Sequence, residues 1–258
     1  MPERGTARSP GGRCALIALA LLCAATAGGA EDARWRDLEN RIQYGYYTED
    51  PRALRNLQDA LSQDDSHDSL RGYYAGFVAW RLALLSVQTP VSGGSSAAQL
   101  AQRCVKELDP LLEAQADFAE ALALRAACKD PTLAGGGLHL PFAHGGRKDL
   151  ERALALGARN PRVLLIDAAG DYQHTPSQGG NRERALVKLR QTVAAFETER
   201  AGTEPLPGWG AAEAYVLLAR NLLDHGDGPG ARDALEHALL LAPDYAQARR
   251  LMQRIASG

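Results

Sequence analysis

The sequence predicts an all-α protein: an α-solenoid of antiparallel helix hairpins, about eleven helices in all, with residues 31–258 forming one domain. Three observations point there. Ala and Leu are abundant while aromatic residues are only 6% of the chain, a mix that favours helices packed through small residues over a sheet rich in Val, Thr and Tyr. Apolar residues recur at the 3.6-residue period in segment after segment, punctuated by Gly and Pro. One 34-residue unit, from about Ala212 to Tyr245, carries a helix–turn–helix pattern whose second half recurs upstream.

In chain order, the first thirty residues stand apart from the fold. Arg4, Arg8 and Arg13 precede the apolar run CALIALALLCAATA (Cys14 to Ala27), and Gly28-Gly29-Ala30 follow. A basic region, an apolar core and a small-residue end read as a secretory signal peptide over 1–30. The run falls short of the roughly 20 apolar residues a membrane-spanning helix needs, so no transmembrane segment is expected after cleavage. Leu22 before Cys23 departs from the small residue usual in a lipoprotein signal, which disfavours a lipid-anchored form. The mature chain is therefore expected in the periplasm or secreted. There Cys104 and Cys128, the two cysteines left, form a candidate disulfide.

Helices are expected over about 32–45, 51–62, 67–87, 96–113, 117–129, 147–157, 161–173, 181–200, 209–225, 229–241 and 244–256. Acidic pairs Glu31-Asp32 and Asp64-Asp65 sit at starts or turns, where they balance the positive helix end. Tyr73, Phe77 and Trp80 form one stripe on the third segment, readable as core or as a contact surface for a partner. Gly- and Ser-rich Thr89–Ser96, Gly-rich Thr132–Gly146, and Gly202–Gly208 with Pro205 and Pro207 break the pattern as linkers. A turn near Ala116 would put Cys104 and Cys128 at equal height on facing helices, each about 18 Å from it.

The terminal unit shows why the spacing matters. Tyr215, Leu218, Ala219 and Leu222 occupy one helix; Ala231, Leu235, Ala238 and the stop at Pro243 occupy the next, with Gly226 and Gly228 at the turn. Small residues at 219, 231 and 238 let two helices approach, and large residues one turn away fill the space. Pro243 cannot continue the helix. The spacing resembles the tetratricopeptide (TPR) pattern, with Leu222 in place of the usual Tyr and Leu235 in place of the usual Phe. LERALAL at 150–156 resembles LEHALLL at 235–241, each followed by a proline, Pro161 or Pro243; AEALALRAA at 119–127 is a weaker third copy.

The segment from Ala97 to Ile255 resembles exported bacterial TPR proteins, including the periplasmic TPR component associated with TRAP transporters. The residues that carry this are AEALAL (119–124), Leu154-Ala155-Leu156, NPRVLL (160–165), Thr175-Pro176, Gly179-Gly180-Asn181, Phe196-Glu197 and Pro207-Gly208-Trp209-Gly210. Asn181 stands where Asp is usual, and both cap helices. The resemblance implies a helical-repeat fold and allows a small-ligand role linked to a solute transporter.

Chemistry is not indicated. The histidines 139, 144, 174, 225 and 237 lack HExxH spacing, there is no CxxC pair, and so no metal is expected. The Gly135–Gly137 and Gly145–Lys148 stretches lack the GxxxxGK[ST] spacing of a phosphate loop, and there is no GxSxG. The chain is expected not to be an enzyme and to need no cofactor. Its formal net charge of −2 argues against nucleic acid as a partner.

What remains is a binding surface. In a solenoid the first helix of each pair lines the concave side. Glu213, Val216, Arg220 and Asp224 share a helix face away from the packing set, with Arg162 and Asp171 as counterparts on an earlier helix. These six are the candidate partner-binding residues. The expected occupant is a protein or peptide in the cell envelope, held in an open groove; the alternative, a small ligand, requires a closed pocket.

Overall fold

The computed structural model describes residues 32–66, 68–88, 94–134, 143–200 and 206–257. The expected signal peptide at 1–30 lies outside the described residues, as do His139 and most of the Gly-rich linker around it. Eleven α-helices and no strand occur among the described residues. They are α1 (32–47), α2 (Pro51–Ser62), α3 (Ser69–Gln88), α4 (Ala97–Ala114), α5 (Ala119–Cys128) and α6 (Ala143–Leu156). Then follow α7 (Pro161–Gln173), α8 (Arg182–Arg200), α9 (Ala211–Asp224), α10 (Gly228–Leu241) and α11 (Ala246–Ser257). No helix among them is long and apolar enough to cross a membrane.

The ends are set by local chemistry. Asp50, Asn160 and Asp227 each turn a side-chain oxygen onto free backbone N–H groups of the following first turn, and a proline occupies that turn in α2, α7 and α10. Ser96 and Gln99 form a reciprocal capping box at α4. Asn181 accepts from Arg184 N–H at 2.8 Å, so asparagine serves as the cap here. All the ends lie within two residues of expectation except the start of the sixth helix. The third helix starts at Ser69, because the Asp68 carboxylate accepts from Leu70 N–H. The sixth helix starts at Ala143, ahead of the expected 147: its glycines let it close on α5, where a Cβ on Gly146 would lie 3.1 Å from Lys129 Cβ.

Packing follows the chain. α3 contacts α2 and α4; α5 contacts α4 and α6; α7 contacts α8; α9 contacts α8 and α10; and α10 contacts α11. The alternate helices α3, α5, α7 and α9 also touch one another in succession and make an inner row. In the terminal unit Tyr215, Leu218, Ala219, Leu222, Ala231, Leu235 and Ala238 are buried, and exposed Pro243 follows the end of α10. Between α3 and α4, a Cβ on Gly76 would lie 2.8 Å from Leu108 Cγ, so the helices meet at that glycine. Cys104 of α4 and Cys128 of α5 are joined as a buried disulfide, Cα atoms 6.2 Å apart.

The first of the described helices meets the last ones. Trp35 of α1 stacks on Tyr74 of α3 at 5.6 Å, and Tyr74 donates to Glu39. Glu39 also accepts the Gly208 N–H just before α9. Tyr46 and Tyr47 pack on Tyr245 with ring centroids 6.4 and 4.4 Å apart, and Arg250 of α11 pairs with Glu49. The aromatic stripe of α3 is core: Tyr73 and Phe77 are fully buried, Trp80 nearly so, and Trp209 Nε1 donates to Tyr73 at 2.7 Å.

Candidate functional site

The inner row and the closure by α1 and α11 surround a concavity of ≈ 870 Å3, measured out through its mouth. Each wall comes from a different helix. α3 supplies Trp80, Arg81 and Leu84; α7 supplies Leu165, Ile166 and Ala169; α9 supplies Val216, Leu217 and Arg220. Asp130 and Thr132 contribute from the turn after α5, Tyr46 from α1, and Tyr245 and Gln247 from the last hairpin.

Arg81 organises the inner end. It is 1% exposed, and its guanidinium lies 4.1 Å from the Tyr46 ring centre, 4.7 Å from those of Phe77 and Trp80, and 5.2 Å from that of Trp209. It pairs with Glu213 and donates to Gln43 at 2.8 Å. Burial alone would lower its pKa, but the Glu213 carboxylate outweighs this and holds it above its ordinary value. Tyr47 donates its hydroxyl proton to the other Glu213 oxygen at 2.5 Å. Burial pushes the Tyr46, Tyr47 and Tyr245 hydroxyls up, so all three stay neutral donors or acceptors.

A second ion pair stands at the α5–α7 side. His174 Nε2 and Asp130 Oδ2 are 2.8 Å apart, and Asp130 also accepts from the Thr132 N–H. The hydrogen bond to Asp130 raises the His174 pKa, against burial. For Asp130, burial acts to raise the carboxyl, but the hydrogen bond and charge of His174 outweigh it and hold it low.

The six residues singled out by sequence divide. Glu213, Val216 and Arg220 line the concavity together. They do not present an open charged face, because Glu213 is consumed by Arg81 and Tyr47, and Val216 is a buried wall. Asp224 lies one turn further out, exposed, held by Arg182 and by the Tyr172 hydroxyl at 2.8 Å. Arg162 and Asp171 do not join them. Arg162, 1% exposed, makes a two-pronged pair with Glu199, and Asp171 pairs with Arg184 and with Lys188 at 2.8 Å. Both clamp α7 to α8. A charge on a helix face reads the same in sequence whether it meets water or a carboxylate on the next helix.

Sequence spacing missed Arg81, Trp80, Trp209 and Asp130 as lining. One signal was available: Arg81 is the lone charge in the apolar run from Phe77 to Leu85, and such a residue is buried only if paired. Among the histidines, His225 contacts Glu183 at 2.8 Å and His237 stacks on Tyr215 at 5.2 Å. Among the described residues no group of three His, Cys, Asp or Glu side chains is placed to hold a metal ion. Searches against known proteins return no protein-family model that matches the chain and no curated protein that matches it.

Proposed function

We propose that this chain is an exported, TPR-like solenoid that works by binding, without catalysis, and that its site is the concavity between α3, α7, α9 and α11. The observation that carries the reading is the closure of the concave side. Tyr46 and Tyr47 of α1 against Tyr245, and Glu49 against Arg250, bring the first and last of the described helices together. A concavity narrowed in this way fits a small solute better than an extended peptide, which needs an open groove. The reading thus leans towards the ligand-binding role that the likeness to TRAP-associated TPR proteins allows. The runs of paired neighbouring helices and the inner row α3–α5–α7–α9 support the solenoid. Export rests on the basic-then-apolar segment before Ala30.

A thermal-shift screen of small organic solutes tests it. A ligand at about 100 times its Kd stabilises by about 2.7 kcal/mol, a rise of several degrees in Tm. Ala169→Phe, which fills the concavity from a half-buried position, should abolish the rise while leaving the unliganded Tm within a few degrees. No solute shifting Tm, or shifts untouched by the filling, would argue against the site.

A protein partner is favoured by a different observation: Leu240 of α10 is 79% exposed and Tyr44 of α1 is exposed on the outer surface. Crosslinking in the envelope, repeated with Leu240→Glu, would recover a specific protein that the variant loses.

A further inference from the structure

Resting on the reading of the concavity as the binding site, we propose that its ligand is an organic monoanion, a carboxylate on a short acyl or single-ring body, with the carboxylate held by Arg220. The argument begins with charge. Each carboxylate around the mouth already has a cation: Glu213 has Arg81, Asp130 has His174, Asp224 has Arg182 and Glu49 has Arg250. Arg220 has no carboxylate partner among the described residues. Its guanidinium lies 5.2 Å from the Tyr172 ring centre, on a ring that Arg182 also approaches at 4.8 Å. A half-buried guanidinium in that state is a pre-formed two-pronged donor for an oxyanion.

Position makes the same point. Arg220 and Gln247 line the central concavity and also an adjoining outer one of ≈ 770 Å3, formed with Tyr172, Leu223, Asp224, Arg250, Leu251 and Arg254. Arg220 therefore stands where the central concavity, whose Arg81–Glu213 and Asp130–His174 charges are paired among apolar walls, meets a mouth that carries three arginines and Asp224. Arg254 in that mouth likewise has no carboxylate partner among the described residues. Inward of Arg220 the walls are Leu84, Leu165, Ile166, Val216 and Leu217, with Trp80 behind. A molecule spanning this boundary needs an anionic head outward and an apolar body inward. A cation would meet uncompensated arginine, and a neutral molecule would leave the guanidinium without a partner.

The test titrates the full chain with octanoate, octan-1-ol and octylammonium, following the fluorescence of Trp80 and Trp209 in a Trp35→Phe background. Octanoate should bind saturably, with octan-1-ol at least about tenfold weaker and octylammonium weaker still. Arg220→Gln should weaken octanoate by about tenfold or more and leave octan-1-ol unchanged, while Arg220→Lys recovers part of the loss. Circular dichroism melts of each variant check that the fold is kept. Equal binding of octanoate and octan-1-ol, both unaffected by Arg220→Gln yet blocked by Ala169→Phe, would overturn the anion proposal and leave the concavity as the site. No saturable response to any of the three would overturn both.

Discussion

Arg81 carries a full charge among aromatic faces, with one carboxylate and the Gln43 amide as its polar partners, and that fixes what each neighbour can tolerate. Removing the partner alone strands the charge: Glu213→Ala should cost about 3–5 kcal/mol in urea denaturation. Replacing both members with apolar residues of similar size, Arg81→Met with Glu213→Leu, should cost far less than the two single changes added together, because the desolvation penalty leaves with the charges. An additive cycle would show that the pair is not coupled. The His174–Asp130 pair makes a prediction in pH. The His174 pKa is raised in the folded state, first by its hydrogen bond to Asp130, so its contribution is fully present below the unfolded value near 6.5. It is lost as pH rises through the higher folded value. Asp130, held low, works the other way: its contribution is present above its ordinary 3.8 and is lost in acid. Stability of the native protein should therefore decline by up to about 1 kcal/mol from slightly acidic to mildly alkaline pH, and His174→Gln should flatten that decline. Identical pH profiles for the two proteins would rule the linkage out.

At the scale of helices, each element is a poor structure alone and a good one when paired. α2 and α11 bury only a narrow stripe of leucines and alanines, and α5 buries most of its length between α4, α6 and the inner row. The Cys104–Cys128 bond joins α4 to α5 across a sequence separation of 24 residues. Constraining a loop of that length in the unfolded chain is worth about 3 kcal/mol. Cys104→Ala with Cys128→Ala should lose about that much, and so should reduction of the native protein. Full alkylation of both thiols in native, unreduced protein would show the bond is not formed. Ion pairs act between the same layers. Arg162–Glu199 and Asp171 with Arg184 and Lys188 tie α7 to α8. Arg125 with Asp109 and Asp149 ties α5 to α4 and α6.

For the whole molecule, closure by α1 decides the character of the site. Tyr47 also supplies a proton donor to Glu213, so Tyr47→Ala removes a ring contact and unsatisfies a buried carboxylate oxygen at once. It should destabilise the fold by about 2–3 kcal/mol and speed amide hydrogen exchange in α11 and the start of α9, with α4 and α5 unaffected. Uniform acceleration across all helices would mean that the ends are not a separate seam.

Eleven helices, most of their ends, the packing alanines of the terminal unit and the facing of Cys104 on Cys128 were legible in residue order. Those features depend on period, capping and turn chemistry, which act within a few residues, and the two cysteines required only equal steps from one turn. The concavity was half legible. Val216 and Arg220 follow from helical spacing within α9, whereas Trp80 and Arg81, Asp130, and Tyr245 come from three other stretches that no local rule brings together. The roles of the charges were not legible. Arg162, Asp171 and Glu213 are ordinary exposed-face residues by period, and they became buried clamps only because a partner of opposite sign stands on the adjacent helix. Sequence alone determined which segments are helices and where they turn. The tertiary structure decided that α1 meets α11, which charges were used up in holding helices together, and that Arg220 was left over at the mouth, since pairing over such sequence distances is settled by packing geometry.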